Sequence, residues 1–494
     1  MSTTRRLRVQ APARAVLARG MDEIVKELKL PQGFPAEVEA AAAAAAKNPR
    51  LPDEDRTDIP LVTIDPPESM DLDQAMHVER RDGGYRVYYA IADVAAFVRP
   101  GDAIDIEARR RGETLYGADS AIPLHPTVLC NGATSLLPDQ LRPALLWTID
   151  LDTGGEGIAV DVHRARVRSR AKLNYAGVQA EIDAGTADPM WAVLREIGEL
   201  RAAREKRRGG VSLPLPEQEI RVDDDGRWHL EHRGRLAVEN WNEQISLLTG
   251  MAAAHIMVKG RIGLLRTLPP PPHWAIERLR RSARGLHIDW PAGLDYAGFI
   301  ATLDPARPHH IAMLIACTTV LRGAGYAAFD GELPEQPLQS ALAAEYAHAT
   351  APLRRLVDRF VGETCVALCA GEPVPDWVRE ALPTLPDIMQ SAGQRASRYE
   401  HAVLNLAEAA LLSARVGEHF AGVVVDLDRH DPQRGDVMIA DPAIQAKVDG
   451  PRPLPLGEDV QVTLAEADPA TRTTRFSYGT AETAEQPEKT TAGD

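Results

Sequence analysis

The sequence predicts a mixed α+β (α/β) chain. One large domain is expected between a small helical N-terminal region and a C-terminal β-barrel. Three observations predict it. The chain has 494 residues, too many for one ordinary domain. Apolar residues make up 44% and charged residues 26%, the composition of a folded chain rather than a disordered, collagen-like or disulfide-dense one. The hydrophobic pattern also changes along the chain, from helical to strand-like, back to helical, and finally to short, regularly spaced strands.

Residues 1–58 are expected to form the helical N-terminal region. Met21 to Leu30 carries apolar residues at helical spacing, and Ala40 to Ala46 is a strong helix former. Pro31, Pro35, Pro49, Pro52 and Pro60 divide this region. From Leu61 the texture becomes strand-like, in LVTID and then in YRVYYAIADV after the turn at Gly83-Gly84. These strands open the large domain, expected over 59–415. A mixed region follows, broken by Pro269 to Pro272, and His273 to Arg415 reads mostly as helices. After Phe420 come AGVVVDLD, DVMIA, QAKVDG, DVQVTLAEA and TTRFSY. Such short strands predict a small barrel of the OB type over 416–480. Residues 481–494 are polar and expected to be disordered. The sequence has no internal repeat.

Lys and Arg total 56 against 71 Asp and Glu, a net charge of -15. That global balance opposes a nucleic-acid partner, although a basic channel can persist inside an acidic shell. The four cysteines include no CxxC pair, which argues against a zinc site. They read as reduced, buried thiols of a cytoplasmic protein. No apolar stretch reaches the roughly 20 residues that cross a bilayer, so no membrane partner is expected. The start is Arg-rich but lacks the apolar core of a secretory signal.

The sharpest local feature is the acidic stretch from Thr63 to Ala75, TIDPPESMDLDQA. A strand delivers Asp65 to a Pro-Pro loop, and Asp71 and Asp73 follow at i+6 and i+8. On extended backbone Asp71 and Asp73 share a face. Carboxylates gathered this way repel one another unless a cation neutralises them. A hard cation such as Mg²⁺ takes oxygen ligands and completes its shell with phosphate and water. The pattern therefore points to metal-assisted phosphoryl chemistry. A solvated acidic turn, or a DxD-type transferase that binds a nucleotide-sugar, carries the same spacing.

The blocks around this stretch resemble the ribonuclease II/ribonuclease R (RNB) exoribonuclease family, whose acidic signature reads roughly IDxxxxxDxDDA. AIADVAAFVRPGDAIDIEARRRGETLYG and AIPLHPTVLCNGATSLLP are similar to its next blocks. RVRSRAKLNY, GVSLPLPE, VENWNEQISLLTGMAAAH and LLRTLPPPP follow in family order. YAHATAPLRRLVD resembles the family's YtHFTSPIRRYxD. The resemblance spans about residues 59 to 412. It implies an RNB-like catalytic domain, a C-terminal barrel standing where the family carries its S1 domain, and a short member without the two cold-shock domains.

The resemblance implies that Asp65, Asp71 and Asp73 hold Mg²⁺ (or Mn²⁺) and activate water for attack on the 3′-terminal phosphodiester. It implies that Arg354 acts near the scissile phosphate, where a guanidinium fork suits bidentate contact, with Arg355 beside it on the RNA. Asp358, at i+4 from Arg354, is expected to orient it. Tyr116 and Tyr175 match tyrosines that line the RNA channel, where ring faces stack on bases without reading sequence. His348 matches a family histidine and is expected to be structural. Two positions depart from the family. A fourth aspartate, directly after Asp73, is Gln74 here, and an acidic residue ahead of a late-helix arginine is Ser397, before Arg398.

Three basic runs, Arg164 to Lys172 as RxRxRxRxK, Arg201 to Arg208, and Arg109 to Arg111, are candidates for the channel lining. Of the 56 basic residues 48 are Arg, the type suited to phosphate. The expectation is a monomeric, cytoplasmic, Mg²⁺-dependent 3′→5′ exoribonuclease. It would degrade single-stranded RNA to nucleoside 5′-monophosphates, with catalytic Asp65, Asp71, Asp73 and Arg354. The alternative is a catalytically impaired RNA-binding protein, because Gln74 replaces an aspartate.

Overall fold

The computed structural model describes residues 7–479 except residue 10 and residues 118–120, 215–216, 223–227, 306, 322 and 440–443. The expected disordered tail, 481–494, lies outside the described residues. At the centre is a four-stranded antiparallel meander. Its strands Gln74–Arg81, Gly84–Ala92, Leu141–Asp152 and Gly157–Arg168 lie in sequence order. The first two are joined by the two-residue turn Asp82-Gly83, with Arg81 opposite Gly84. Asp-Gly is a favoured pair for such turns.

Side chains alternate across this sheet with the period of two that extended backbone imposes. On one face Met76, Val78, Val87, Tyr89, Ile91, Leu145, Trp147 and Ile149 join the main core. Helices Pro189–Arg208, Ala237–Gly260 and Leu356–Ala370 cover that face. Close approach is achieved with glycine. A Cβ on Gly362 would sit 2.5 Å from Leu145, and one on Gly198 would sit 2.7 Å from Trp241. The opposite face presents Ala75, Ala90, Ala92, Ala144, Leu146 and Ala165 to the helix Ala36–Lys47, whose Val38 and Ala42 are buried there.

The acidic stretch crosses the end of this sheet. Thr63–Ile64 pairs in parallel with Lys172–Leu173, and after nine intervening residues the chain enters the strand Gln74–Arg81. Leu72 is fully buried and anchors the crossing. Its N–H donates to Ser135 Oγ at 3.0 Å, its carbonyl accepts from Leu136 N–H at 3.0 Å, and Ser135 Oγ donates to the Met70 carbonyl at 2.6 Å.

The helix Ala11–Glu27 is not a detached lead-in. Its Leu17, Met21 and Ile24 pack with Val403, Leu406 and Ala407 of the long helix Leu385–Leu412, in a core shared with the barrel. The region expected to be mostly helical also holds a strand, Gly325–Asp330, paired antiparallel with Ile262–Thr267. That pairing closes a separation of about sixty residues, so no local pattern announces it.

The C-terminal strands His419–Leu427, Arg434–Ile439, Ile444–Asp449, Asp459–Asp468 and Thr473–Tyr478 form a closed barrel. Parallel pairing of Ile444–Asp449 with Thr473–Tyr478 completes the closure. Irregularities at Val424/Asp426 and Leu464/Glu466 supply the local bending a barrel needs. Phe420 and Phe476 meet edge-to-face inside it at 5.5 Å. Among the described residues no helix is long and apolar enough to cross a membrane.

The barrel is also fixed to the helix His273–Gly285. Leu279 and Ala283 of that helix share a core with Val423, Val425 and Met438 of the barrel. Gly457 has φ +84°, and a Cβ there would lie 1.3 Å from the Gly285 carbonyl oxygen. Gly457→Ala therefore combines a left-handed backbone with backbone overlap, at an expected cost of about 2–4 kcal/mol. Hydrogen exchange should report it, with protection lost in the barrel amides before those of the central sheet.

Candidate active site

Asp65 follows the strand Thr63–Ile64, and its N–H donates to the Leu173 carbonyl at 3.1 Å. This places it beside Lys172, whose ammonium donates to the Pro67 carbonyl at 2.7 Å. Asp65 Oδ2 is buried and has no hydrogen-bond partner. Burial, with repulsion from Asp71, pushes the Asp65 carboxyl up to about 7 against the pull of Arg354 and Lys172. Asp71 is raised too, chiefly by burial, while Arg354 and a hydrogen bond from Tyr116 oppose the shift.

Asp73 is 4% exposed. Its Oδ1 accepts from Leu353 N–H at 2.8 Å, and its Oδ2 lies 3.6 Å from Arg354 Nε. Burial raises it well above the ordinary carboxylate range, with Arg354 as the main opposing influence. Three desolvated carboxylates thus share one guanidinium. One positive group offsets only part of that charge.

Gln74 begins the next strand, and its side-chain N–H donates to the Thr350 carbonyl. The amide thus ties the acidic stretch to the segment that carries Arg354. A carboxylate here would offer that carbonyl no proton and would add charge beside Asp73.

The two arginines divide their work differently from expectation. Asp358 does not orient Arg354. It grips Arg355 through two bonds, 2.9 Å to Nε and 2.8 Å to Nη2, and accepts Ala351 N–H at 2.6 Å. The helix Leu356–Ala370 begins after both arginines, so the i,i+4 relation of a continuous helix does not apply to Arg354. Arg355 sits at the N-cap with φ -135°, and the ion pair with Asp358 holds its guanidinium more basic than usual despite burial. Arg354 is left facing Asp73, with its side chain 34% exposed. A strand-like contact stitches the pair to residues 112–114: Thr114 N–H donates to the Arg354 carbonyl at 3.0 Å, and Leu356 N–H to the Gly112 carbonyl at 3.0 Å.

Tyr116 is 39% exposed, and its hydroxyl reaches Asp71. Tyr175 is the first residue of the helix Tyr175–Asp183, which Asn174 caps; it is half-buried against the main core, and its hydroxyl accepts from Asn242 Nδ2 at 2.8 Å. His348 is packed between the rings of Tyr326 and Tyr346, with Nδ1 2.8 Å from the Tyr326 hydroxyl. Burial holds it well below the ordinary histidine range, a neutral structural ring.

Several members of the basic runs are occupied by carboxylates. Arg164 pairs with Asp93 at 3.0 Å and with Glu363, and Arg166 with Asp55 at 3.4 Å. Arg109 pairs with Asp105, while Arg110 and Arg111 share Glu107. Arg201 is 3% exposed and Arg204 pairs with Glu156. Lys172 is the member of these runs that reaches the acidic cluster.

Sequence reasoning missed Glu113. Its carboxyl is raised by burial and opposed by Arg355, Arg266, Arg395 and Arg354, so it offsets positive charge behind the site. No spacing rule marks it. Cys130, expected from the sequence to be a buried thiol, is buried on the π-helical turn Leu129–Ala133 close to Asp71 and Asp73. Burial pushes that thiol up to about 12, which leaves it protonated and unreactive.

Among the described residues no three His, Cys, Asp or Glu side chains converge closely enough to hold a metal ion by themselves. The chemistry of the donors nevertheless fits a divalent cation. Asp65 offers an orphaned buried oxygen, and the desolvated carboxylates of Asp65 and Asp71 repel each other. A hard cation that takes few protein carboxylates and keeps water or phosphate ligands matches this set.

Residues 53–368 match the RNB domain. The chain belongs to the RNB exoribonuclease family. Residues 418–479 match the RNase II-type exonuclease C-terminal S1 domain, which identifies the closed barrel as S1-like. Ribonuclease R of Escherichia coli (strain K12) is 30% identical over 376 residues, covering 71% of this chain and 45% of that protein. The chain thus spans about half the length of the curated relatives it matches. In three dimensions the RNB chain is similar to Mycoplasma genitalium RNase R solved with ribose-methylated single-stranded RNA. The TM-score is 0.81 at 19% identity, over 93% of this chain and 77% of that one. It also shares its fold with yeast Ssd1, a pseudonuclease, at TM-score 0.65 and 17% identity, over 91% of this chain and 58% of that one.

The raised carboxyls predict a pH-dependent cation affinity. Without a cation, Asp65 keeps a proton up to about pH 7, whereas the unfolded chain loses it near 3.8. The proton-linked stability is therefore full below the unfolded value and is lost as pH rises through about 7. A cation must displace that proton, so its affinity should fall by up to tenfold per pH unit below about 7. Thermal melts with and without Mg²⁺ should show a larger stabilisation at about pH 8 than at about pH 6. An equal shift at both values would contradict the assignment.

Proposed function

We propose that this protein is a hydrolytic, divalent-cation-dependent 3′→5′ exoribonuclease that degrades single-stranded RNA to nucleoside 5′-monophosphates. The observation that carries the proposal is the buried group of Asp65, Asp71 and Asp73 facing the single guanidinium of Arg354. Asp65 and Asp71, with Asp73 behind them, would hold Mg²⁺ or Mn²⁺. Such an ion polarises a phosphoryl oxygen and makes bound water a better nucleophile.

The chain's own residues do the rest. Arg354 is partly exposed and directs its charge to the phosphate whose negative charge grows in the transition state. Asp73 fixes the Arg354 guanidinium on one side and the Leu353 backbone on the other. Arg355 and Asp358 hold the segment rigid from below. Tyr116 offers a ring face for base stacking while its hydroxyl steadies Asp71, and Tyr175 would contact the RNA as a second ring. A single chain working in the cytoplasm is part of this reading.

The experiment is incubation of labelled single-stranded RNA with Mg²⁺ or Mn²⁺. Label placed at the 3′ end should leave first, as a nucleoside 5′-monophosphate. RNA that stays intact under every cation would refute the proposal.

A second reading rests on Gln74 and on the shared fold with a pseudonuclease: an RNA-binding protein without hydrolysis. The bond from Gln74 to Thr350 gives the amide a positioning task that a carboxylate cannot perform, so the active reading accommodates Gln74 as well.

A further inference from the structure

The acidic cluster has a second cation beside it besides Arg354. Parallel pairing of Lys172–Leu173 with Thr63–Ile64 sets Lys172 opposite Thr63, two residues before Asp65. The Asp65 N–H then bonds the Leu173 carbonyl at 3.1 Å, so the backbone itself fixes Lys172 next to that carboxylate. The ammonium is near enough to lower the Asp65 carboxyl, yet among the described residues the two form no ion pair.

The half-buried Lys172 donates instead to the Pro67 carbonyl at 2.7 Å, on the loop that runs from Asp65 to Asp71. A neutral carbonyl aims the group and leaves its charge uncompensated. An ammonium has three N–H donors, and the Pro67 bond takes one. Among the described residues Lys172 makes no other hydrogen bond. Arg164, Arg166 and Arg109 of the basic runs, by contrast, are held by carboxylates.

The two cations meet the cluster at different ends. Arg354 faces Asp73 at 3.6 Å, and Lys172 acts on Asp65. Formal charge shows what the second one adds. When ionised, Asp65, Asp71 and Asp73 carry three negative charges. A divalent cation together with Arg354 only balances them, while Arg355 and Asp358 cancel each other. Lys172 supplies the surplus positive charge that a singly charged phosphodiester matches. Lysine suits that task as a compact point charge on a flexible stem.

We propose that Lys172 is a substrate-contacting residue, whose ammonium holds a non-bridging oxygen of the 3′-terminal phosphodiester on the side away from Arg354. The proposal rests on the RNA-degrading reading above and deepens it. Pro67 aims the ammonium, and the two remaining N–H donors serve the phosphate.

The test uses the full chain carrying Asp73→Asn with Mg²⁺, so that RNA is bound without being consumed. Two RNAs of about four nucleotides are compared, one ordinary and one with an uncharged methylphosphonate at its 3′-terminal linkage. Lys172→Met keeps an unbranched apolar stem and removes the charge. It should weaken the ordinary RNA on the order of tenfold and flatten its salt dependence by about 0.7. The methylphosphonate RNA should bind both proteins alike. Lys172→Arg should restore the affinity and the salt dependence of the ordinary RNA.

An equal loss for the two RNAs would overturn the proposal, because a mere tether to Pro67 acts on both. So would an unchanged salt dependence in Lys172→Met, or a Lys172→Arg variant that binds no better than Lys172→Met. The two RNAs are compared on the same protein, so a lower stability of Lys172→Met does not imitate the effect. Mononucleotide release by the unsubstituted chain decides the function separately. A chain that degrades RNA but treats the two RNAs alike fails on Lys172 alone, and a chain that hydrolyses nothing fails on the function.

Discussion

Asp73→Asn is expected to lower kcat for mononucleotide release by about 10²–10³-fold, with the fold intact. The asparagine keeps an oxygen that accepts Leu353 N–H, so the 2.8 Å tie to the arginine segment survives. What is lost is the negative charge that faces Arg354 at 3.6 Å and helps to hold a cation. Removing one preorganised charge from a transition-state site has an effect of that size. Stability should be unchanged or slightly higher, because Asp73 is a carboxylate that burial disfavours. Single-turnover kinetics together with a thermal melt separate the two quantities. A variant that degrades RNA at the wild-type rate would sink the proposed role of Asp73.

Arg355→Ala should act in the opposite way, mainly on stability. Asp358 is 2% exposed and would keep only the Ala351 N–H as a partner. Leaving a buried carboxylate without its guanidinium costs about 3–5 kcal/mol. Arg354→Ala, one residue away, should unfold nothing and reduce kcat by about 10²-fold or more. The double variant Arg355→Ala/Asp358→Ala should recover part of the stability lost in Arg355→Ala, because no unpaired charge remains. Thermal unfolding of the four proteins tests the division of labour. Equal destabilisation by Arg354→Ala and Arg355→Ala would contradict it.

The division between these arginines also marks where sequence reasoning stops. The aspartates Asp65, Asp71 and Asp73 were legible because their chemistry is local: a short strand, a Pro-Pro loop and a fixed spacing. The barrel was legible because short strands with turns between them announce themselves. Partner choice was not. The i,i+4 expectation for Asp358 presumed a helix through Arg354, yet the helix starts at Leu356 and Arg355 takes the carboxylate instead.

The basic runs were only partly legible for a related reason. A row such as Arg164 to Lys172 shows its own charge but not the acids that other segments bring to it, here Asp93, Glu363 and Asp55. Glu113 carries no motif at all and gains meaning only from the arginines that the fold gathers around it. The strand Gly325–Asp330 likewise owes its existence to a distant partner, Ile262–Thr267.

Gln74 is the residue on which the account turns. Sequence alone makes it a missing carboxylate, whereas its bond to the Thr350 carbonyl ties the acidic stretch to the segment that carries Arg354. The most direct measurement is mononucleotide release from single-stranded RNA by the wild-type chain and by Gln74→Asp, at saturating Mg²⁺. The account predicts an active wild type and a Gln74→Asp variant that is no faster and about 1–3 kcal/mol less stable, since the Thr350 tie is broken. A silent wild type that gains hydrolysis on Gln74→Asp would contradict it.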